Sequence, residues 1–157
     1  MQTIWITGGS SGIGFATAKK FINNNWQVVI SSSNKIKLES AKKKLKLNNN
    51  KNLVHAIVCD ISSKNNVDET INSIEKNIGK IDIALLNASA YSPNKNQIFD
   101  ISNYELLVDV NIKGTLYCVN KLKDVMKNRN NTIAIISSPL GYSCLLYTSP
   151  SPRDIGP

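Results

Sequence analysis

The chain has 157 residues, 41% of them apolar and 19% charged, enough for one compact domain with a real core and too few for two. No apolar run approaches the ~20 residues of a membrane span, and Met1-Gln2-Thr3-Ile4 enters an apolar stretch without a basic leader, so a cytoplasmic protein is expected. The net charge of +8 comes with lysines on what reads as one solvated helix face, without interleaved aromatics or a base-reading motif, which argues against a nucleic-acid partner.

Thr3 to Thr7 reads as a short strand, followed by the turn Thr7-Gly8-Gly9-Ser10-Ser11-Gly12-Ile13-Gly14. Ile13, Ala16, Thr17, Lys20 and Phe21 then recur at helical spacing, and Asn23-Asn24-Asn25 ends that helix. Trp26 to Ile30 is a second strand, apolar enough to be covered on both faces. A lysine-rich amphipathic helix runs to about Leu47, and Leu53 to Cys59 forms the third strand. Ser63 to Ile78 is a helix carrying Val67, Ile71, Ile74 and Ile78, and Ile81 to Leu86 is strand four. After a loop with Pro93, one long helix is expected from about Ser102 to Lys127, with Leu106, Leu107, Val110, Leu116, Val119 and Leu122 inward. Thr132 to Ser137 is strand five. Strict strand–helix alternation predicts an α/β doubly wound parallel sheet of Rossmann type, in three layers.

Composition changes abruptly near Ser143, and the following residues, with three prolines, show neither helical nor strand period. The division expected is a doubly wound α/β domain over 1–142 and an irregular tail over 143–157. Cys59, Cys118 and Cys144 have no metal-ligand spacing, and His55 is the only histidine, so no metal is expected.

The glycine turn has a specific chemical use. A diphosphate can rest on the start of a helix because free N–H groups and the helix dipole both point at it. Gly8, Gly12 and Gly14 allow the close approach, and Ser10 and Ser11 add hydroxyl donors. The turn follows a strand, opens a helix at Ile13 and precedes a second strand within about 30 residues, the setting of a dinucleotide-binding unit.

Thr7-Gly8-x-x-x-Gly12-x-Gly14 resembles the signature of the short-chain dehydrogenase/reductase family, and further family motifs follow in order. Cys59-Asp60-Ile61 resembles the segment after strand three whose aspartate faces the adenine. Asp82 to Ser89 resembles the strand-four motif Asn-Asn-Ala-Gly, with Leu86 and Ser89 replacing its ends and Asn87-Ala88 keeping its centre. Val110 to Gly114 resembles the helix segment bearing the catalytic asparagine, here Asn111. Ile135 to Ser138 resembles the end of strand five with its catalytic serine, here Ser138.

The resemblance implies hydride exchange between C4 of a nicotinamide and an alcohol or carbonyl carbon. It implies cofactor contacts from Gly8, Ser10, Ser11, Gly12, Ile13, Gly14, Ser32, Ser33, Asp60, Ile61, Asn87 and Ala88. No carboxylate follows strand two to accept from a ribose 2′-OH. Ser32 or Ser33 could donate to a 2′-phosphate and Lys35 could supply charge, so NADP is expected, with NAD the alternative.

The family's proton-transferring tyrosine should stand roughly 13 residues beyond the serine, with a lysine four further on. Those places hold Ser151 and Ile155, and no lysine follows Lys127. Tyr142 and Tyr147 have Leu146 and Ser151 four residues on. The chain as it stands is therefore expected to be inactive, the cofactor half of a reductase of about 250 residues joined near Tyr142 to unrelated cloning-derived sequence. The alternative is a non-catalytic dinucleotide-binding module serving as a redox sensor or regulatory partner. The parent is expected to act on a small alcohol or carbonyl compound and to form a homodimer or homotetramer. Its missing helix would leave an apolar patch and an aggregation-prone fragment.

Overall fold

The computed structural model describes residues 1–47, 53–91 and 101–138. Five parallel strands, β1 (Thr3–Thr7), β2 (Gln27–Ser32), β3 (Val54–Val58), β4 (Ile81–Leu86) and β5 (Thr132–Ile135), lie in the order β3-β2-β1-β4-β5. Helices α1 (Gly12–Asn23), α2 (Lys35–Leu47), α3 (Lys64–Asn77), α4 (Ile101–Leu107) and α5 (Thr115–Val125) connect them, with a π-helical stretch, Val108–Gly114, between α4 and α5. This is the expected Rossmann-type topology. The expected tail over 143–157, Pro93, Tyr142 and Tyr147 lie outside the described residues.

Period-two alternation in the strands builds two cores. Ile4, Ile6, Val28 and Ile30 meet Ala18, Ile22, Leu38, Ala41 and Leu45 of α1 and α2. Trp5, Val29, Ala84 and Leu86 point the other way, onto Val67, Ile71 and Ile74 of α3 and Cys118 and Leu122 of α5. Every residue of β1 is buried, as expected of a central parallel strand covered on both sides. The indole Nε1–H of Trp5 is accommodated there because it donates to Ser31 Oγ at 3.1 Å.

Local signals set the helix ends. Asn34 Oδ1 accepts from Lys37 N–H at 2.9 Å at the start of α2, and Ser63 Oγ accepts from Asn66 N–H at the start of α3. Beyond α1, Asn25 adopts φ +61°, the left-handed conformation asparagine tolerates, and turns the chain into β2.

The expected long helix is interrupted. Its π turn contains Asn111 and resets the phase of the helix, so the buried line of α5 and its end is Cys118, Leu122 and Met126, spaced by four. Leu106 and Leu116, expected inward, are exposed, Leu116 by 60%. Sequence period could not show this, because a wider turn shifts the phase by one residue without any residue type that marks it.

Candidate functional site

A cleft of about 550 Å³ opens at the carboxyl ends of β1, β2, β3 and β4. The chain leaves β1 toward β2 on one side of the sheet and returns to β4 on the other. That reversal of strand order leaves a crevice, the usual place for a ligand in an open α/β sheet.

The two halves of the crevice are sewn together by polar groups of β1 and β4. Thr7 Oγ1 accepts from the N–H groups of Asn87 (2.9 Å) and Ala88 (3.0 Å). Asn87 Nδ2 donates to the carbonyls of Thr7 and Gly8, both at 3.2 Å. Gly8 has φ +64°, and a Cβ there would lie 2.8 Å from the Ala88 Cα, so the turn and the β4 end can approach only without a side chain.

The floor of the cleft is the start of α1. Ser11, the N-cap, is extended (φ −158°), and its side chain makes no capping hydrogen bond. Gly12 adopts φ +53°, and the side chain it lacks would meet no atom within 4 Å. Room therefore remains over a helix N-terminus whose first N–H groups have no side-chain cap.

Of the residues expected at the cofactor, Gly8, Ser10, Ser11, Gly12, Ile13, Ser32, Ser33, Asp60, Ile61, Asn87 and Ala88 line this cleft. Gly14 does not. A Cβ on it would lie 2.7 Å from both Asn87 Nδ2 and Gly8 O, so its smallness lets α1 pack under the turn. The remaining wall is Asn34, Lys37, Cys59, Ser89 and Val110. Lys35, named above as a source of charge, is not on the wall; Lys37 is. Two residues apart, the lysines lie about 200° apart around the helix axis, so only one of them faces the cleft, and the run of lysines in sequence carries no such direction.

Asp60 Oδ1 accepts from Ser62 N–H (3.0 Å) and Ser62 Oγ (2.7 Å), which fixes the carboxylate at the cleft rim. Beside it, burial raises the Cys59 thiol above its ordinary pKa against a lowering hydrogen bond with Thr70, and Asp60 raises it further. Burial pushes the Cys118 thiol up to about 12, with Cys59 adding to the shift. Both are thiols at neutral pH, without the thiolate character of a nucleophile.

Neither expected catalytic residue is on the cleft wall. Asn111 gives its whole amide to one backbone unit: Oδ1 accepts from Ala90 N–H at 2.8 Å and Nδ2 donates to Ala90 O at 3.0 Å. Its carbonyl accepts from Thr115 Oγ1 at 2.9 Å, which occupies an acceptor the π turn would otherwise loosen. Val110, its neighbour, reaches the wall. Ser138 is exposed beyond β5, where Ile136 N–H still donates to Leu86 O at 3.0 Å and holds the strand end beside β4.

Comparison with known proteins agrees with this geometry. The family model for the short chain dehydrogenase matches residues 2–148. An uncharacterized oxidoreductase of Staphylococcus saprophyticus is 30% identical over 126 residues, covering 80% of this chain and 53% of that protein. The crystal structure of a short chain dehydrogenase from Bacillus anthracis superposes with a TM-score of 0.83 at 23% identity, over 91% of this chain and 59% of that one. The RhlG/NADP active-site complex of Pseudomonas aeruginosa gives 0.80 at 19% identity, over 92% of this chain and 57% of that one. The chain thus spans a little over half the length of these proteins. With a glycine turn, a switch-point crevice and a family match over nearly its whole length, the chain belongs to the short-chain dehydrogenase family.

Proposed function

We propose that the cleft binds a nicotinamide dinucleotide and that the whole protein is an oxidoreductase acting on an alcohol or carbonyl compound. One observation carries the reading: the glycine turn leaves the N-terminus of α1 without a side-chain cap and with open space above Gly12, in the wall of a cleft large enough for a nucleotide. The group itself, when bound, supplies the hydride donor or acceptor at C4 of its nicotinamide.

The chain's own residues then have separable tasks. The N–H groups at the start of α1, with the Ser10 and Ser11 hydroxyls, hold the diphosphate. Asp60, its Oδ1 taken by Ser62, presents Oδ2 to an exocyclic amine of the adenine, with Ile61 packing beside it. Ser138 donates a hydrogen bond to the substrate oxygen. Asn111 is a positioning residue, because its amide clamps Ala90 and with it the loop after β4.

The cofactor we favour is NADP: no acidic side chain stands at the end of β2 to repel a 2′-phosphate, and an NADP complex is among the structural neighbours. The 157-residue chain is proposed to bind without turning over, since no tyrosine after Ser138 has a lysine four residues on.

Calorimetric titration of the full chain with NADPH and NADH tests the reading. Binding of at least one is expected, with a loss of about 100-fold or more in Gly12→Val, whose side chain would enter the cleft from a left-handed backbone. A folded Gly12→Val protein that binds as tightly as the parent would refute it. Carbonyl reduction above that of a Ser138→Ala control would refute the claim of no turnover.

A further inference from the structure

The positive charge of the chain is gathered on one side. Lys19 and Lys20 of α1 and the six lysines of α2 stand against a single carboxylate, Glu39, in the same two helices. Seven of the chain's eight units of net positive charge therefore lie on α1 and α2, over one face of the sheet. Among the described residues none of these lysines makes an ion pair; the pairs present are those of Lys64, Lys113 and Arg129. The outer side of α2 is not purely polar. Ile36 is 84% exposed and Leu47 80%, and with Ser40 and Lys43 they fall within about 60° of arc, opposite the buried Leu38, Ala41 and Leu45. The two aliphatic side chains thus stand about 16 Å apart on one line, with Lys43 between them and Lys44 beside it. Across the groove between the helices, Lys19 lies one turn beyond Phe15, which lines that groove with Ile36, Ser40 and Lys44.

We propose that this outer face of α1 and α2, where Ile36 and Leu47 stand in line among unpaired lysines, docks on the surface of an anionic lipid bilayer. Single exposed aliphatic side chains are ordinary on a protein surface, but these two share one line with most of the molecule's net positive charge. Each lysine near a negatively charged leaflet adds attraction that salt screens, and its stem can lie along apolar surface while the ammonium group meets headgroup phosphates. Ile36 and Leu47 then enter the boundary between headgroups and acyl chains, a gain that a purely polar partner does not offer. A nucleic acid fits less well. Neither helix carries an arginine, and Phe15, Phe21 and Trp26 pack against the core instead of standing out for base stacking. The docking is peripheral, since no described helix is long and apolar enough to cross a membrane.

The test floats the full chain with vesicles of phosphatidylcholine alone or of an equal mixture with phosphatidylglycerol. Partitioning onto the mixed vesicles is expected to be at least about tenfold stronger, and to weaken as salt is added. Lys43→Ala with Lys44→Ala is expected to lower it by about tenfold or more, and Ile36→Ser with Leu47→Ser by about tenfold. Lys76→Ala with Lys80→Ala, an equal loss of charge at exposed positions on the α3 side of the sheet, is expected to stay within about twofold. All six positions are exposed, so far-UV circular dichroism should be unchanged in each variant. Equal binding to both kinds of vesicle would overturn the proposal and point to the exposed apolar side chains of α5 and β5. An equal loss in the Lys76 and Lys80 variant, or full binding in the Ile36 and Leu47 variant, would overturn it as well. Binding of duplex DNA without binding of vesicles would replace the bilayer with a nucleic acid, and binding of neither would remove the docking face altogether.

Discussion

The two sides of the sheet's midline are built from the same kinds of residue and end in different states. β1 and β2, with α1 and α2 over one face and α3 over the other, are buried nearly throughout, with Trp5, Ile6, Val28 and Ile30 excluded from solvent. Across β4 the cover thins. β5 is exposed at both ends, α4 buries no residue, and Tyr104, Leu106, Ile112, Leu116, Ile135 and Ile136 stand exposed. β5 carries the run Ile133-Ala134-Ile135, as continuously apolar as Val28-Val29-Ile30 of β2. Burial of a strand therefore follows from what lies on its two faces and beside its edge, not from its own composition.

The sharpest way to break this contrast is to truncate a large side chain on each side. Trp5→Ala is expected to cost about 3–5 kcal/mol, since it empties the core between β1 and α3 and strands the Ser31 hydroxyl. Leu116→Ala is expected to change stability by less than about 0.5 kcal/mol. Urea unfolding followed by far-UV circular dichroism measures both; a comparable loss in Leu116→Ala would mean that its side chain is covered in solution.

Next in size is the seam between the regions. Gly14→Ala puts a methyl 2.7 Å from Asn87 Nδ2 and from Gly8 O. A loss of about 1–3 kcal/mol is expected, together with weaker nucleotide binding, because α1 must move away from the turn. Retained binding and stability would show that α1 and β4 can separate at no cost.

Asn111→Ala removes two exposed hydrogen bonds to Ala90, and about 1–2 kcal/mol is expected, read as a lower thermal midpoint. Amide exchange at Ala90 should quicken, a change that a residue uninvolved in holding that loop would not cause.

The smallest effect at ordinary pH is electrostatic. Cys59 and Cys118 hold their protons more tightly folded than unfolded. Their contribution is thus fully present below the ordinary thiol pKa and is lost as pH rises through the folded value, about 12 for Cys118. Unfolding free energy should be flat across neutral pH and fall at alkaline pH, less steeply in Cys118→Ala. Leu116→Ser, at the exposed face of α5, sharpens the contrast from the other side: less light scattering on concentration at unchanged stability, as an uncovered apolar patch requires.

Much of the first region was legible in the residues. Strand, glycine turn, helix and strand follow one another with the right periods; β1 and β4 begin and end, and α2 ends, where the pattern puts them. The second region was less so. The π turn depends on Asn111 reaching Ala90 and on buried Gly114 lying against Ile61, contacts between segments far apart in the chain. A helical period read through Leu107 and Val110 continues into Leu116 and cannot register a turn one residue wider.

The sequence by itself determined the family, the strand–helix order and the place of the glycine turn, because glycine spacing and apolar period are local properties of the chain. Only the tertiary structure decided that Lys37 rather than Lys35 faces the cleft, that Gly14 packs beneath the turn, and that the Asn111 amide is spent on Ala90. Each of these depends on the direction a side chain takes toward a neighbour brought close by the fold, and direction is a property of the packed layers rather than of the chain.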